Sequence, residues 1–174
     1  MAAPHLDDDP NFRRAVVLVL EHGEEGALGI VLNDPMGVSA ADALPDPLGT
    51  VVTDGADVFR GGPVQPGTVI VLADFEDRAA AGGITFGSVG ILDPESVEGG
   101  HPPAVRHARA FGGYSGWGGG QLESEIAQDA WIDAAPHVED VFTDDPAGLW
   151  RAVLRRAGGS YRLMATAPDD PLLN

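Results

Sequence analysis

Apolar residues in this chain gather only in short runs. Stretches such as Ala15 to Glu21 (AVVLVLE), Ala27 to Asn33 (ALGIVLN) and Thr68 to Asp74 (TVIVLAD) are separated by segments rich in glycine and proline. Runs of that length, weighted toward β-branched residues, suit strands. The 24 glycines and 14 prolines leave room for few long helices. No run approaches the roughly 18 apolar residues that a membrane helix needs.

The first two runs flank His22-Gly23-Glu24-Glu25-Gly26 and read as a β-hairpin. Both are apolar at almost every position, so both faces of each are expected to be covered. Ser39 can cap a short helix from Ala40 to Leu44, ended by Pro45, and Thr50 to Ala56 reads as loop. Val58-Phe59 leads into the Arg60-Gly61-Gly62-Pro63-Val64 turn and the strand Thr68 to Asp74. Phe86 to Leu92 and Val105 to Phe111 are expected as two further strands. The glycine run from Gly112 to Gly120 then forms a corner into a helix, Gln121 to Gln128, and Ala130 to Ala135 is a candidate last strand. Asp144 or Asp145 caps a helix begun by Pro146, whose stripe Leu149, Trp150, Val153, Leu154 and Ala157 ends at Gly158-Gly159.

The 174 residues, with 44% hydrophobic side chains, suit one domain spanning 1–174. A chain of that size buries roughly 70% of the surface its unfolded form exposes. Cysteine is absent, which removes disulfides, thiolate catalysis, iron–sulfur clusters and cysteine zinc sites. Lysine is absent too, because all ten basic residues are arginine, and with it go the Walker lysine, the pyridoxal Schiff base and the kinase strand lysine. The formal net charge of −17 repels nucleic acid and anionic lipid. Met1 to Asp9 has no basic head followed by an apolar segment, which argues against a secretory signal and for a cytoplasmic protein. Asp7-Asp8-Asp9 reads as a solvated entry, with Asp9 capping the turn at Pro10.

Four segments carry a family pattern: Asp9-Pro10-Asn11-Phe12-Arg13-Arg14 before a strand, Gly29-Ile30-Val31-Leu32-Asn33, Gly61-Gly62-Pro63-Val64, and Gly113-Tyr114-Ser115-Gly116-Trp117-Gly118-Gly119-Gly120-Gln121-Leu122-Glu123. In order and spacing they resemble the YqgE/AlgH family, as does the tail Pro168 to Asn174. The resemblance implies a single α+β domain whose largely antiparallel, branched sheet curls into a pseudo-barrel with packed helices. It implies a bacterial cytoplasmic protein of uncharacterised molecular function, and one family name records a link to alginate regulation. The family pattern carries a further apolar strand ahead of the Asp9-Pro10-Asn11-Phe12 segment, where only Met1 to Leu6 stand here, so the first strand is expected to be short or missing in the sequence as given.

Candidate sites divide between recognition and packing. Arg60 beside Gly61 and Gly62, with Gln65 just beyond, is the polar group best suited to recognition, since arginine offers a fixed fork of donors and the glycines admit close approach. The competing reading pairs Arg60 with a carboxylate. The Tyr114 to Gln121 corner, with Trp117, could complete a pocket with Arg60 and Gln65, and Asn33 ends the second strand of the hairpin nearby in the pattern. The glycine run could cradle an anion, but Glu123 and Glu125 stand at the helix start, which favours a purely structural corner. Ser115 has Gly113 two before it, yet Trp117 replaces the second glycine of a nucleophile elbow. His22, His101 and His107 lack metal spacing. Arg151, Arg155, Arg156 and Arg162 form a basic cluster that a helix end explains.

No catalytic set, metal site or cofactor is therefore assigned. The leading expectation is a non-enzymatic interaction or regulatory domain with a protein partner and no membrane partner. The alternative is an enzyme or small-ligand binder with a pocket around Arg60, Gln65 and the Tyr114–Gln121 corner. Direct nucleic-acid binding comes third, opposed by the net charge.

Overall fold

The computed structural model describes residues 1–6, 9–46, 48–52 and 56–166. Asp7, Asp8, the Thr53–Gly55 part of the expected loop and the Pro168–Asn174 tail lie outside the described residues. The expected hairpin is present as β1 (Val17–Gly23) and β2 (Gly26–Val31), antiparallel and closed at Gly23 opposite Gly26. Burial differs between the two. β2 is covered on both faces, whereas Val19 in β1 is 38% exposed, so the expectation of two covered faces fails for β1. The reason is position: β1 begins the strand order β1-β2-β8-β5-β7-β6 and, among the described residues, has a neighbouring strand on one edge only.

β3 (Pro35–Ser39) leads into α1 (Ala40–Ala43), where the Ser39 hydroxyl accepts from Ala41 N at 3.2 Å as the expected cap. α2 (Leu48–Val51) occupies the start of the stretch expected as loop. β4 (Asp57–Arg60) and the twelve-residue β5 (Val64–Phe75) flank the glycine turn. Phe86 to Leu92, expected as one strand, is divided: β6 (Gly83–Phe86) and β7 (Val89–Ile91) form a second hairpin around Gly87, which sits at φ 52°. α3 (Pro94–Glu98), capped by Asp93, occupies part of the proline- and glycine-rich link.

β8 (Val105–Gly118) organises the sheet, which has eight strands. Its first half pairs antiparallel with β5, Phe111 and Gly112 pair parallel with β4, and its last residues pair antiparallel with β2. One strand thus carries the branch that curls a largely antiparallel sheet into a nearly closed pseudo-barrel, and the fold is α+β. Of the glycine run expected as a corner, Gly112 to Gly118 is instead the second half of this strand, and Gly119-Gly120 alone turn into the helix that follows. At the branch, β8 and the Gly61-Gly62 turn approach backbone to backbone, and a Cβ on Gly113 would lie 2.7 Å from the Gly62 carbonyl oxygen. Gly113 also sits at φ 72°, which favours glycine.

α4 (Gln121–Ala127) follows β8, and α5 (Val138–Val141) comes after an extended stretch. That stretch contains no named strand at the expected Ala130–Ala135; it makes only an antiparallel bridge, Trp131 to Ala2. α6 (Pro146–Ala157) forms as its sequence predicts, with Asp145 Oδ1 accepting from Gly148 N at 3.0 Å and Gly158 at φ 77° ending it. α7 (Tyr161–Met164) packs beside it. The α6 stripe of Leu149, Trp150, Val153 and Leu154 is buried in a core with Leu18, Ile30, Leu32, Phe59 and Phe111. Each such side chain contributes roughly 1.5–3 kcal/mol. A second cluster of Phe75, Leu92 and Val97 lies with α1 and α3, and a third gathers Trp117, Trp131, Leu122, Ala2 and Ala15.

Candidate functional site

The end of β8 and the start of α4 are tied by one carboxylate. Glu125 Oε2 accepts from Trp117 Nε1 at 3.0 Å and Trp131 Nε1 at 2.7 Å, while its Oε1 accepts from Gln121 Nε2 at 2.8 Å. Gln121 Oε1 in turn accepts from Gly118 N at 3.0 Å. Gln121 and Glu125 meet because residues four apart share a helix face. Phe12 closes the group, 6.2 Å from the Trp117 ring and 5.3 Å from Trp131. It is placed by Asp9, whose Oδ1 accepts from Asn11 N at 2.8 Å and Phe12 N at 3.2 Å, the capping role expected of that aspartate.

Beside this knot runs an open apolar trough of about 270 Å³. One wall is Val16 to Val19, leading along the edge of β1 that no strand pairs among the described residues. The opposite wall is the extended segment Trp131 to His137. Leu32, Val141 and Val153 come from the α6 core, and Trp117, Leu122 and Ile126 from the α4 side. Val19 and Ile126 expose 38% and 42% of their surface at its rim. Its charged lining is Asp133, Asp140 and Arg156, with the last two in a bidentate ion pair.

The eight candidate residues fall in three places. Arg60, Gly61, Gly62, Gln65 and Tyr114 gather around the branch in β8: Gly61 N donates to Gly112 O at 2.9 Å and Val64 lies opposite Tyr114. There Arg60 Nη1 stands 3.6 Å from Asp34 Oδ2, both side chains about half exposed, and Gln65 holds φ 46° while its Oε1 accepts from Thr68 Oγ1. Trp117 and Gln121 belong to the carboxylate knot. Asn33 holds the segment that enters β1, accepting from Val16 N at 2.8 Å and donating to Arg14 O at 3.0 Å. Of the eight, Trp117 alone lines the trough. Glu125, Trp131 and the β1 edge were not singled out from sequence. The readable signal was the spacing Gln121–Glu125 next to two tryptophans, whose N–H groups need acceptors when buried.

Groups with reactive side chains are committed elsewhere. Ser115 is fully buried and its hydroxyl donates to Gly61 O at 3.3 Å. Arg109 is buried, donates to the carbonyls of Val141 and Thr143 at 2.9 Å each, and lies over the Phe59 ring, while desolvation lowers its pKa. His22 Nε2 sits 2.6 Å from Glu123 Oε1. Glu123's pKa is lowered by its own backbone N–H and then by His22. Among the described residues no group of three or more His, Asp or Glu side chains is placed to hold a metal ion, and no helix is long and apolar enough to cross a membrane.

The family described as DUF179, AlgH-like, matches residues 1–162. A UPF0301 protein of Streptomyces coelicolor is 43% identical over 180 residues, covering 100% of this chain and 92% of that protein. A crystal structure of protein DIP2367 from Corynebacterium diphtheriae superposes with a TM-score of 0.86 at 25% identity, covering 96% of this chain and 89% of that one. The solution structure of the AlgH protein from Pseudomonas aeruginosa gives a TM-score of 0.70 at 28% identity, over 98% and 92% of the two chains.

Proposed function

The chain belongs to the YqgE/AlgH (UPF0301) family of uncharacterised bacterial proteins, and from that premise we propose that it is a non-enzymatic interaction domain of regulatory type, working in the cytoplasm and docking a protein partner in the trough beside β1. The observation that carries this reading is the pairing of an apolar trough with a strand edge that no strand pairs among the described residues. Exposed apolar surface next to unpaired backbone marks an interaction face. Ser115 and Arg109, by contrast, are held in structural hydrogen bonds.

A small-ligand reading keeps one observation of its own. Gln65, an exposed non-glycine residue at φ 46° beside Arg60, is held in the strained conformation that often marks a contact site. Nucleic acid is the weakest candidate partner. The net charge of −17 opposes it, and Arg156 of the expected basic cluster is committed to Asp140.

A photo-crosslinking residue at position 126, compared with one at Leu163, tests the docking face, since Leu163 is 77% exposed but does not line the trough. A discrete polypeptide adduct in cells from position 126 and none from position 163 is expected. Equal labelling from both positions, or adducts with small molecules only, would contradict it.

A further inference from the structure

The chain carries one well-exposed thioether, and the fold seats it beside a loosely held arginine. Of the three methionines, Met1 is 8% exposed and Met164 packs against the α6 core, whereas Met36 in β3 is 47% exposed. β3 meets β4 only at Pro35 opposite Phe59 and Ser39 opposite Asp57, so Met36, Gly37 and Val38 stand off the ladder between two fixed ends. Gly37 sits there at φ 67° in open space, a conformation that favours glycine. With no cysteine in the chain, Met36 is its most accessible sulfur.

Met36 lies over the branch in β8. A Cβ on Gly112 would be 3.9 Å from its Sδ, so the thioether covers a position where β8 has no side chain. Phe59 and Phe111, paired across β4 and β8, both enter the α6 core with their rings 5.9 Å apart. Alternation turns the next pair, Arg60 and Gly112, to the opposite face, the one on which Met36 lies. Val69, opposite Gly112 in β5, is exposed beside them. The Arg60 backbone is fixed, its N donating to Asp34 O at 2.8 Å, but its guanidinium stands 3.6 Å from Asp34 Oδ2 with both side chains about half exposed. An exposed ion pair of that length is weak.

The geometry points to Met36 as a reversible oxidation site whose sulfoxide draws the Arg60 guanidinium away from Asp34. In the forward step the sulfur lone pair attacks the terminal oxygen of a peroxide. The S–O bond forms, the O–O bond breaks, and the proton of the attacked oxygen passes to the departing one, which leaves as water or an alcohol. The sulfur gives up two electrons and the peroxide gains them. Two thiols reverse the step, becoming a disulfide while the sulfoxide oxygen leaves as water, as in methionine sulfoxide reductases. The product carries a strong acceptor where an apolar sulfur lay, and Val69 and Gly112 beside it have no side-chain donor. Arg60, with its fork of donors on the same face, does. Its capture frees the Asp34 carboxylate and gives the Arg60 turn a redox-dependent surface, a regulatory input that does not depend on what occupies the trough.

Hydrogen peroxide added to the folded, ¹³C,¹⁵N-labelled full chain tests this, with the sulfoxide located by peptide mass spectrometry and the side chains followed by NMR. Met36 is expected to oxidise at least about tenfold faster than Met164. The Arg60 Nε–Hε resonance and the Asp34 carboxyl carbon should shift in step with Met36 oxidation while the α6 amides stay in place. Both should return when methionine sulfoxide reductases for the two epimers and a dithiol are supplied. Met36→Leu keeps the apolar cover without the sulfur and should abolish the response. Equal oxidation of Met36 and Met164, a Met36 sulfoxide that leaves Arg60 and Asp34 unmoved, or the same shifts in Met36→Leu would overturn the proposal. Shifts spread through the α6 core would overturn it too, because oxidation would then loosen the fold as a whole with no capture by Arg60.

Discussion

Trp117 and Trp131 donate their indole N–H groups to the same oxygen, Glu125 Oε2, with their rings 5.7 Å apart in an edge-to-face arrangement. A single carboxylate therefore ties together the end of β8, the first helix after it and the far wall of the trough.

Removing that acceptor leaves two indole donors without a partner. Glu125→Ala is expected to cost about 2–4 kcal/mol, and Glu125→Gln, which retains one carbonyl oxygen, about 1–2 kcal/mol. Urea melts followed by tryptophan fluorescence measure both, and equal losses for the two variants would contradict the shared-acceptor account.

Trp150 is buried in the α6 core and donates to Ala2 O at 2.8 Å. Trp150→Ala should cost about 3–5 kcal/mol through the cavity it leaves. Trp150→Phe fills most of that space but loses the hydrogen bond, for about 1–2 kcal/mol. Denaturant melts giving under about 1 kcal/mol for the alanine variant would refute this packing.

The glycine run separates into positions that need glycine and positions that do not. A Cβ on Gly119 would lie 2.5 Å from the Glu24 carbonyl oxygen, whereas one on Gly116 would meet nothing nearer than Tyr114 Cε2 at 3.7 Å. Gly119→Ala should destabilise by about 1–3 kcal/mol. Gly116→Ala should fall within about 1 kcal/mol of wild type on either side. Thermal melts of the pair decide it, and equal losses would mean that the run acts as one unit.

Alternation and caps made most of the fold legible in the sequence. The β1–β2 hairpin, the Ser39 cap and α6 between Asp145 and Gly158 all follow from local chemistry, and all are present. Long-range pairing was not legible. Gly112 to Gly118 looks like a corner because glycine usually breaks strands, yet these residues are held in β8 by pairing with β2, β4 and β5, and at Gly113 the Gly61-Gly62 turn approaches too closely for a side chain. β6 and β7 were merged because a single glycine at φ 52° turns between them. In the knot, Trp117, Glu125 and Trp131 lie in one stretch of the sequence, but Phe12 is far from them and only the folded sheet brings it to the others. The Arg60 group was readable as a cluster, but nothing local indicates that it lies away from the trough.

His22 and Glu123 give a pH signature. Both Glu123's own backbone N–H and His22 hold its carboxyl below the ordinary value. A depressed folded pKa means that the interaction stabilises the fold above the unfolded carboxyl value and is lost as pH falls through the folded one. His22→Ala should raise the Glu123 midpoint part of the way back, leaving the backbone share. A carboxyl-detected NMR titration reads it, and an unmoved midpoint would remove the pair from the account.

The central claim, that the trough beside β1 is where a partner docks, is tested most directly by amide hydrogen exchange on the protein alone and on its complex with a polypeptide captured from position 126. The account predicts slowed exchange at Val17, Val19 and Ala134, with the Arg60 to Gln65 turn unchanged. Protection confined to that turn, with the β1 edge exchanging as in the free protein, would contradict it.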